Sequence, residues 1–427
     1  MDINTLNNFN PWWTQKKVPE ALLKEHRRPQ LAVLKKYLDK RFIMLLYGLR
    51  QVGKTTLLYQ LIDILLKKND PFSILYFSFD DRTATIEDLL KFYEEKVLKK
   101  KISDAEKTYL VFDEIQKLPN WQEKIKILYD THPNAKILLS GSASILLQKP
   151  AKESLAGRII DFQVKPLTFC EFLAWRKIPV DFKHPEIYQD TAIPAFMDFL
   201  RKGGFPAIID EQDDEFIRQY LKDTVLERII FRDLVSEFRI KDIELLRLLV
   251  EMVAREPGMI VNFDRLARDL GRTKITISNY FNYLAYALIT REVRNLRAGF
   301  LVSSRKAKKV YPTSPAFCFA YMDDFYAERQ LEKIAELVVA ETLGAQFYYR
   351  DGFEVDFILK SGQKVIPVEV KYGQPETRQI KQFLEKFSLE KGVVVSKDKF
   401  SVSKGIKTVP LWYFAATYPS RRQLFLS

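Results

Sequence analysis

Gly48-Leu-Arg-Gln-Val-Gly53-Lys54-Thr55 follows the spacing G-x-x-x-x-G-K-[ST]. Glycines at both ends let backbone N–H groups curl around phosphate oxygens. The helix that opens at Lys54 adds the positive potential of its N-terminus. In such a loop Lys54 reaches the β- and γ-phosphates of a nucleotide and Thr55 ligates magnesium. Gly48, Arg50, Gln51, Val52, Gly53, Lys54, Thr55 and Thr56 are the expected nucleotide contacts. Downstream, Tyr109-Leu-Val-Phe-Asp113-Glu114 is an apolar run ending in two acids. Asp113 suits the magnesium shell, and Glu114 suits a carboxylate that positions the attacking water and accepts its proton. Alone, the pair reads equally as a strand meeting a solvated acidic turn. Beside the glycine loop it predicts ATP binding with Mg2+ and ATP hydrolysis.

Two further residues extend that site. A strand at Ile137–Leu139 ends at Ser140-Gly141-Ser142. The order of strands looks like that of AAA-type ATPases, where a polar residue in this place senses the γ-phosphate. Ser140 or Ser142 fits, and so does the plainer role of a helix cap. Arg158 follows Gly157 and precedes another strand. It is a candidate to stabilise transition-state charge, within the chain or across subunits, the latter requiring an oligomer. The alternative is a surface ion pair.

Near the end of the chain lies a second chemistry. Phe353-Glu-Val-Asp356-Phe-Ile-Leu and Val365-Ile-Pro-Val-Glu369-Val-Lys371 alternate polar and apolar residues around Ser361-Gly362-Gln363-Lys364. That pattern predicts a β-hairpin. With the turn centred on Gly362-Gln363, Asp356 faces Glu369 and Glu354 faces Lys371. Facing carboxylates repel by roughly up to 1 kcal/mol, unless a divalent cation lies between them. Asp356 and Glu369 are therefore candidate ligands for a second Mg2+ or Mn2+. Lys371 would orient or activate water, and Glu336 on the preceding helix would complete the shell. Asp356 followed by Glu369-x-Lys371 matches the D…(D/E)-x-K spacing of restriction-endonuclease-like nucleases. An ion-paired hairpin face and a nuclease-like fold that binds without cutting are the alternatives.

Between these sites, Phe263–Gly271 and Lys274–Leu288 have the spacing of a helix-turn-helix, with Leu266, Ala267, Leu270, Ile277, Phe281 and Leu284 as its core. Ile289–Val293 and the basic stretch to Val310 look like a wing hairpin. Lys274, Thr276, Asn279 and Tyr280 are the expected exposed positions of the second helix. Arg272, Arg291, Arg294, Arg297, Arg305, Lys306, Lys308 and Lys309 are the candidates for phosphate contacts. Winged helices serve equally as protein-binding modules and as lids of ATPase assemblies.

The elements that must hold these residues read as short apolar strands separated by amphipathic helices. Phe42–Tyr47, Ile74–Phe79, Tyr109–Phe112, Lys136–Leu139 and Arg158–Val164 are the strands, and Lys54–Lys67 is the helix behind the glycine loop. This alternation predicts a parallel α/β sheet. From Thr168 to Lys241 the pattern turns helical, broken at Gly203-Gly204-Phe205-Pro206. Residues 1–40 are polar, with Trp12 and Trp13 as an apolar patch. The 427 residues, 47% hydrophobic and 29% charged, suit several globular domains. The net charge of +13 favours an anionic partner such as nucleic acid, nucleotide or an acidic membrane surface, with nucleic acid slightly ahead, or else a solvated lysine-rich surface. Two distant cysteines, Cys170 and Cys318, point to a reducing compartment. With no leader and no apolar run of membrane-spanning length, a cytoplasmic location without membrane contact is expected.

Taken together the motifs resemble a family of prokaryotic AAA-type ATPases carrying a C-terminal domain of unknown function with a restriction-endonuclease-like motif. The resemblance rests on Gly48–Leu57, Leu110–Trp121, Leu139–Ser144, Leu155–Arg158, Pro166–Phe172, Gly203–Pro206, Glu354–Leu359 and Pro367–Lys371. It implies ATP binding through Lys54, Thr55, Asp113 and Glu114, and Glu336, Asp356, Glu369 and Lys371 at the nuclease-like positions. The helix after Glu336 continues Ala340-Glu341-Thr342-Leu343, so Glu341 competes with Glu336 for that place. The expected organisation is an α/β P-loop ATPase core (1–167), a helical lid or connector (168–241), a winged helix-turn-helix (242–312) and a nuclease-like α/β domain (313–427). The expected function is an ATP-hydrolysing, DNA-associated machine with a metal-dependent nuclease end. Its competitor is an ATP-gated switch or scaffold whose last domain binds protein or DNA and cuts nothing.

Overall fold

A computed structural model describes residues 2–80, 85–143, 145, 155–238, 240–296, 308–361, 364–373 and 377–426. The chain divides into two compact units, Met1–Lys165 and Pro166–Ser427.

The first unit is built on a parallel five-stranded sheet. Its strands are β1 (Ile43–Gly48), β2 (Ile74–Ser78), β3 (Thr108–Asp113), β4 (Ala135–Ser142) and β5 (Ile159–Gln163), in the order β2-β3-β4-β1-β5. Strands covered on both faces need apolar side chains throughout. Ile43–Leu46, Tyr109–Phe112 and Ile137–Leu139 are accordingly buried. The helix Lys54–Leu66 lays Leu57, Leu58, Leu61, Ile62 and Leu65 into the core. Because β1 lies between β4 and β5, the chain connections diverge beside it. The crevice beyond the C-terminal ends of such strands is where ligands bind in open α/β sheets.

The N-terminal segment closes the outer edge of β2. The Asn10 amide donates to the Tyr76 carbonyl (2.9 Å) and accepts from the Tyr76 N–H (2.7 Å), copying a neighbouring strand. Trp12 and Trp13 both donate from the indole to the Ile74 carbonyl and are buried, so they are core and not a surface patch. An edge covered in this way offers no free ladder to another chain. At the start of β4 the Lys136 ammonium donates to the carbonyls of Tyr37 (2.8 Å), Lys40 (2.7 Å) and Phe42 (2.7 Å), fastening the turn that leads into β1.

In the second unit, Thr168 and Glu171 form a reciprocal capping box at the start of the helix Phe169–Trp175. The helix Gln189–Lys202 stops at Gly203 and Gly204, both left-handed. A Cβ on Gly204 would meet the Leu167 carbonyl oxygen at 2.1 Å, so this stop requires glycine.

The helices Phe263–Asp269 and Lys274–Tyr286 follow, capped by the side chains of Asn262 and Thr273. Of the expected core, Ala267, Ile277, Phe281 and Leu284 are buried, whereas Leu266 and Leu270 are only half-buried. A five-stranded sheet then runs β10 (Glu354–Val355), β9 (Phe347–Arg350), β7 (Thr290–Asn295), β8 (Lys308–Pro312) and β6 (Met259–Val261). β7 and β8 are antiparallel, while β7 and β9 are parallel. Strands from segments 242–312 and 313–427 thus share one sheet. A second five-stranded sheet has the order β11 (Phe357–Ser361), β12 (Lys364–Lys371), β13 (Gly392–Ser396), β15 (Ile406–Pro410) and β14 (Ser401–Ser403). The helix Glu328–Leu343 packs on β12 and on the helix Leu411–Leu426. Ser144, Arg297, Arg305, Lys306 and the turn Gly362-Gln363 lie outside the described residues. Among the described residues no helix is long and apolar enough to cross a membrane.

Candidate functional site

The loop after β1 has the form an anion needs. A Cβ on Gly48 would lie 2.1 Å from the Val164 carbonyl oxygen, so only glycine lets the loop leave β1 beside the chain that follows β5. Gln51 (φ 63°) and Gly53 (φ 91°) take left-handed conformations, and such turns gather backbone N–H groups into a concave nest. No side chain caps the helix that begins at Lys54. A helix N-terminus without a side-chain cap is a ready anion site. Val52 is buried, and its carbonyl accepts from Arg28 (3.3 Å), which also holds the Lys165 carbonyl (2.8 Å). The Lys54 ammonium is folded back onto the carbonyls of Leu49 (2.8 Å) and Gly48 (3.3 Å).

β3 delivers Asp113 to the same crevice. Thr55 donates from its hydroxyl to Asp113 Oδ2 at 2.6 Å. Tyr76, from β2, donates to the same oxygen at 3.0 Å, and Ser140, from β4, donates to Asp113 Oδ1. Burial, and then the charge of Asp113, push the Tyr76 hydroxyl above its usual range, so it stays a donor. A hydroxyl and a carboxylate in contact are the hard oxygen donors that Mg2+ takes. The donor set therefore fits that ion.

Glu114 has a left-handed backbone (φ 53°). Its N–H is held by Asp113 Oδ1 (3.1 Å) and Ser140 Oγ (3.3 Å). Gln116 donates from its amide to Glu114 Oε2 at 2.7 Å and accepts from the Ser142 N–H at 3.3 Å. A Cβ on Gly141 would come within 2.7 Å of Gln116 Oε1, so Gly141 makes room for this link. Sequence reading missed Gln116 and Tyr76, although Gln116 stands two residues beyond the acid pair it serves.

Arg158 is not brought to this crevice. Its carbonyl accepts from the N–H of Ile43, where β1 begins, whereas the phosphate loop follows the end of β1. Along a strand of six residues that separation is about 17 Å. Its guanidinium instead grips Asp130 through two bonds, of 2.8 and 3.1 Å. The ion-pair alternative describes Arg158, and a role at this chain's own phosphates does not.

The second cluster lies in the second unit. β11 and β12 pair from Phe357 opposite Val368 to Ser361 opposite Lys364, the register the alternation predicted, and Asp356 stands just before β11, beside Glu369. The Asp356 N–H approaches Glu369 Oε2 (3.4 Å), and the Val370 N–H donates to Asp356 Oδ2 (2.8 Å). Lys371 pairs with Glu369 (2.8 Å). Glu354 does not face Lys371. It lies in β10, opposite Arg350 of β9, and pairs with that arginine (3.5 Å).

The unforeseen member is Lys309, from β8. Its ammonium lies 2.8 Å from Glu336, 2.7 Å from Glu354 and 3.7 Å from Asp356, and its side chain is only 6% exposed. Tyr311, two residues on, donates to Glu336 as well. Burial pulls the Lys309 ammonium down, but Glu336, Asp356 and Glu354 together carry it above its ordinary value. Burial first, then the charges of Glu336 and Glu369, push the Asp356 carboxyl well above the usual carboxylate range. Burial raises Glu369 too, against the pull of Lys371. Among the described residues no group of three or more His, Cys, Asp and Glu is arranged to hold a metal ion. Glu341, the competitor of Glu336, is paired with Arg291.

Four of the five described basic residues read as phosphate contacts are paired with acids. Arg272 pairs with Asp242 (2.9 Å), Lys308 with Glu292 (2.6 Å), Arg291 with Glu341 and Lys309 with Glu336. On the second helix Lys274 pairs with Asp264 (2.8 Å) and Thr276 bonds to Thr273. Tyr280 is buried and its hydroxyl accepts from the Asp242 N–H, so it is not a surface position. Asn279 is exposed.

Residues 40–173 match the family model described as "AAA domain". The first unit has a parallel-sheet, P-loop ATPase-like fold, and this match spans most of it. Residues 193–322 and 334–414 match two models for domains of unknown function. An uncharacterized protein of Methanocaldococcus jannaschii is 28% identical over 88% of both chains. An uncharacterized protein of Haemophilus influenzae is 25% identical over 82% of this chain and 87% of its own. Among solved structures, the Walker-type ATPase of Pyrococcus abyssi aligns with 69% of this chain and 95% of its own, at 19% identity and a TM-score of 0.41. The Aeropyrum pernix ORC1 protein in complex with DNA aligns with 75% of this chain and 98% of its own, at 17% identity and a TM-score of 0.31.

Proposed function

We propose that the first unit binds ATP with Mg2+ and hydrolyses it, and that turnover works a switch in the second. The observation that carries this is the contact of Thr55 with Asp113 at 2.6 Å, beside a glycine loop whose helix end has no side-chain cap. Thr55 and Asp113 would hold the magnesium, which supplies neutralising charge at the β- and γ-phosphates. Lys54 would exchange the carbonyls of Gly48 and Leu49 for phosphate oxygens. Glu114, steadied by Gln116, would orient the attacking water and take its proton. Ser140, already on Asp113, links the loop and the acid pair to β4. Within the second unit we read residues 168–241 as a helical connector and 242–312 as a winged helix-turn-helix, on the strength of the capped helix pair and the antiparallel β7 and β8.

The test is ATP turnover by the full chain with Mg2+. Wild type should turn over, Lys54→Ala should bind ATP more weakly and lose turnover, and Glu114→Gln should bind ATP without hydrolysing it. Turnover that survives in Lys54→Ala would overturn the assignment.

DNA is the partner class that the net charge of +13 supports. Fluorescence anisotropy with duplex and single-stranded DNA should give affinities that fall steeply with salt. No binding at low salt would remove DNA and leave a protein partner.

A further inference from the structure

We propose that the Lys309 ammonium is a built-in cation standing where a divalent metal would stand among Glu336, Glu354, Asp356 and Glu369, so that this cluster takes no metal in the native fold. The inference is independent of the ATP site.

Three observations carry it. The first is position. An ammonium has three N–H donors, and here Nζ faces carboxylates from three separate elements: Glu336 (2.8 Å) on a helix, Glu354 (2.7 Å) on β10 and Asp356 (3.7 Å) before β11. A magnesium ion needs oxygens at about 2.0–2.1 Å and keeps its own waters. It has no room beside a nitrogen that already lies within hydrogen-bond distance of the same oxygens. The second is charge. Glu336 and Glu354 share Lys309, Glu354 also meets Arg350 (3.5 Å), and Glu369 meets Lys371 (2.8 Å). Asp356 accepts from the Val370 N–H at 2.8 Å. The cluster thus has internal partners for each carboxylate, where a metal site would leave them to the ion. The third is anchorage. Lys309 lies on β8 with Val293 of β7 and Ile260 of β6 as its register partners, and Tyr311 of the same strand donates to Glu336. The ammonium is held in place by a strand in the middle of a sheet and is not a surface side chain that can swing aside.

The consequence is a module that keeps the outline of a D…(D/E)-x-K site and uses its carboxylates as a tie. β8 is fastened through Lys309 to the helix Glu328–Leu343, to β10 and to the start of β11.

Manganese binding decides the matter, followed by electron paramagnetic resonance on the full chain without nucleotide. Wild type and Asp356→Asn should take up Mn2+ identically, because Asp356 holds none. Lys309→Met keeps the side-chain length, removes the charge and should gain one Mn2+ site, which Lys309→Met/Asp356→Asn should lose. Mn2+ bound by wild type and lost in Asp356→Asn would overturn the proposal, and this comparison does not depend on the Lys309 variant folding. A folded Lys309→Met that gains no Mn2+ site would overturn it too, since the ammonium would then not stand in a metal's place.

Discussion

Replacing Gln116 with leucine keeps the side-chain size and removes both of its hydrogen bonds. The bond at stake is the 2.7 Å contact from its amide to Glu114 Oε2. A hydrogen bond to a charged acceptor is worth about 1.5–3 kcal/mol. If that bond holds the carboxylate in the rotamer that meets the water, its loss lowers kcat by about 10- to 150-fold. The bonds of Gln116 run to Glu114 and Ser142, and not to Lys54 or Thr55. KM for ATP should therefore change little, the pattern of an interaction that matters in the transition state alone. Gly141→Ala should act in the same direction, because its Cβ would displace Gln116 Oε1 from 2.7 Å. Steady-state ATP turnover at limiting and saturating ATP reads both constants. An unchanged or raised kcat in Gln116→Leu would refute the positioning role. A raised KM with unchanged kcat would assign Gln116 to binding instead.

Lys54→Ala removes a charge-assisted contact to phosphate and should weaken a fluorescent ATP analogue by about 10-fold or more in an equilibrium titration. Gly48→Ala places a Cβ 2.1 Å from the Val164 carbonyl oxygen. Overpacking of that kind costs about 1–3 kcal/mol, which a thermal melt should record as a drop of about 3–10 °C. Lys136→Met takes the ammonium from the carbonyls of Tyr37, Lys40 and Phe42. Urea unfolding should lose about 1–3 kcal/mol for the buried acceptors left without it. Lys309→Met leaves the partly buried carboxylates of Glu336, Glu354 and Asp356 without their shared cation; a thermal melt should record a loss smaller than the about 3–5 kcal/mol of a fully buried pair, and Mn2+ should restore part of the melting temperature.

Much of the candidate nucleotide site was legible because its chemistry is local. Gly48, Gly53, Lys54 and Thr55 fall within one turn of chain, so their spacing alone specifies a phosphate loop. β1 to β4 were legible as apolar runs, since burial on both faces leaves few polar positions to disguise them, whereas β5 is a half-buried edge strand that carries Asp161. The register of β11 on β12 was legible as well, because a two-residue alternation about one turn favours a single register, although it does not extend to Glu354, which leaves that hairpin for β10. Even the distance of Arg158 from the phosphates was implicit. An arginine that precedes a parallel strand lies at the opposite edge from a loop that follows one.

Contacts between residues far apart in the chain were not legible. Tyr76 and Ser140 meet Asp113 because β2 and β4 flank β3, and strand order is a property of the assembled sheet. Gln116 needs the end of β4 beside it before its reach to Glu114 and Ser142 has meaning. Lys309 sits in a basic stretch that reads as a phosphate-binding wing, and composition does not distinguish a cation aimed at water from one aimed inward. β7 pairs with β9 as well as with β8, which brings β10 and its Glu354 into the sheet that holds Lys309. Spacing along the chain specifies which groups are available at a turn. Which charges neutralise one another depends on which strands become neighbours, and that is set by burial of the whole sheet.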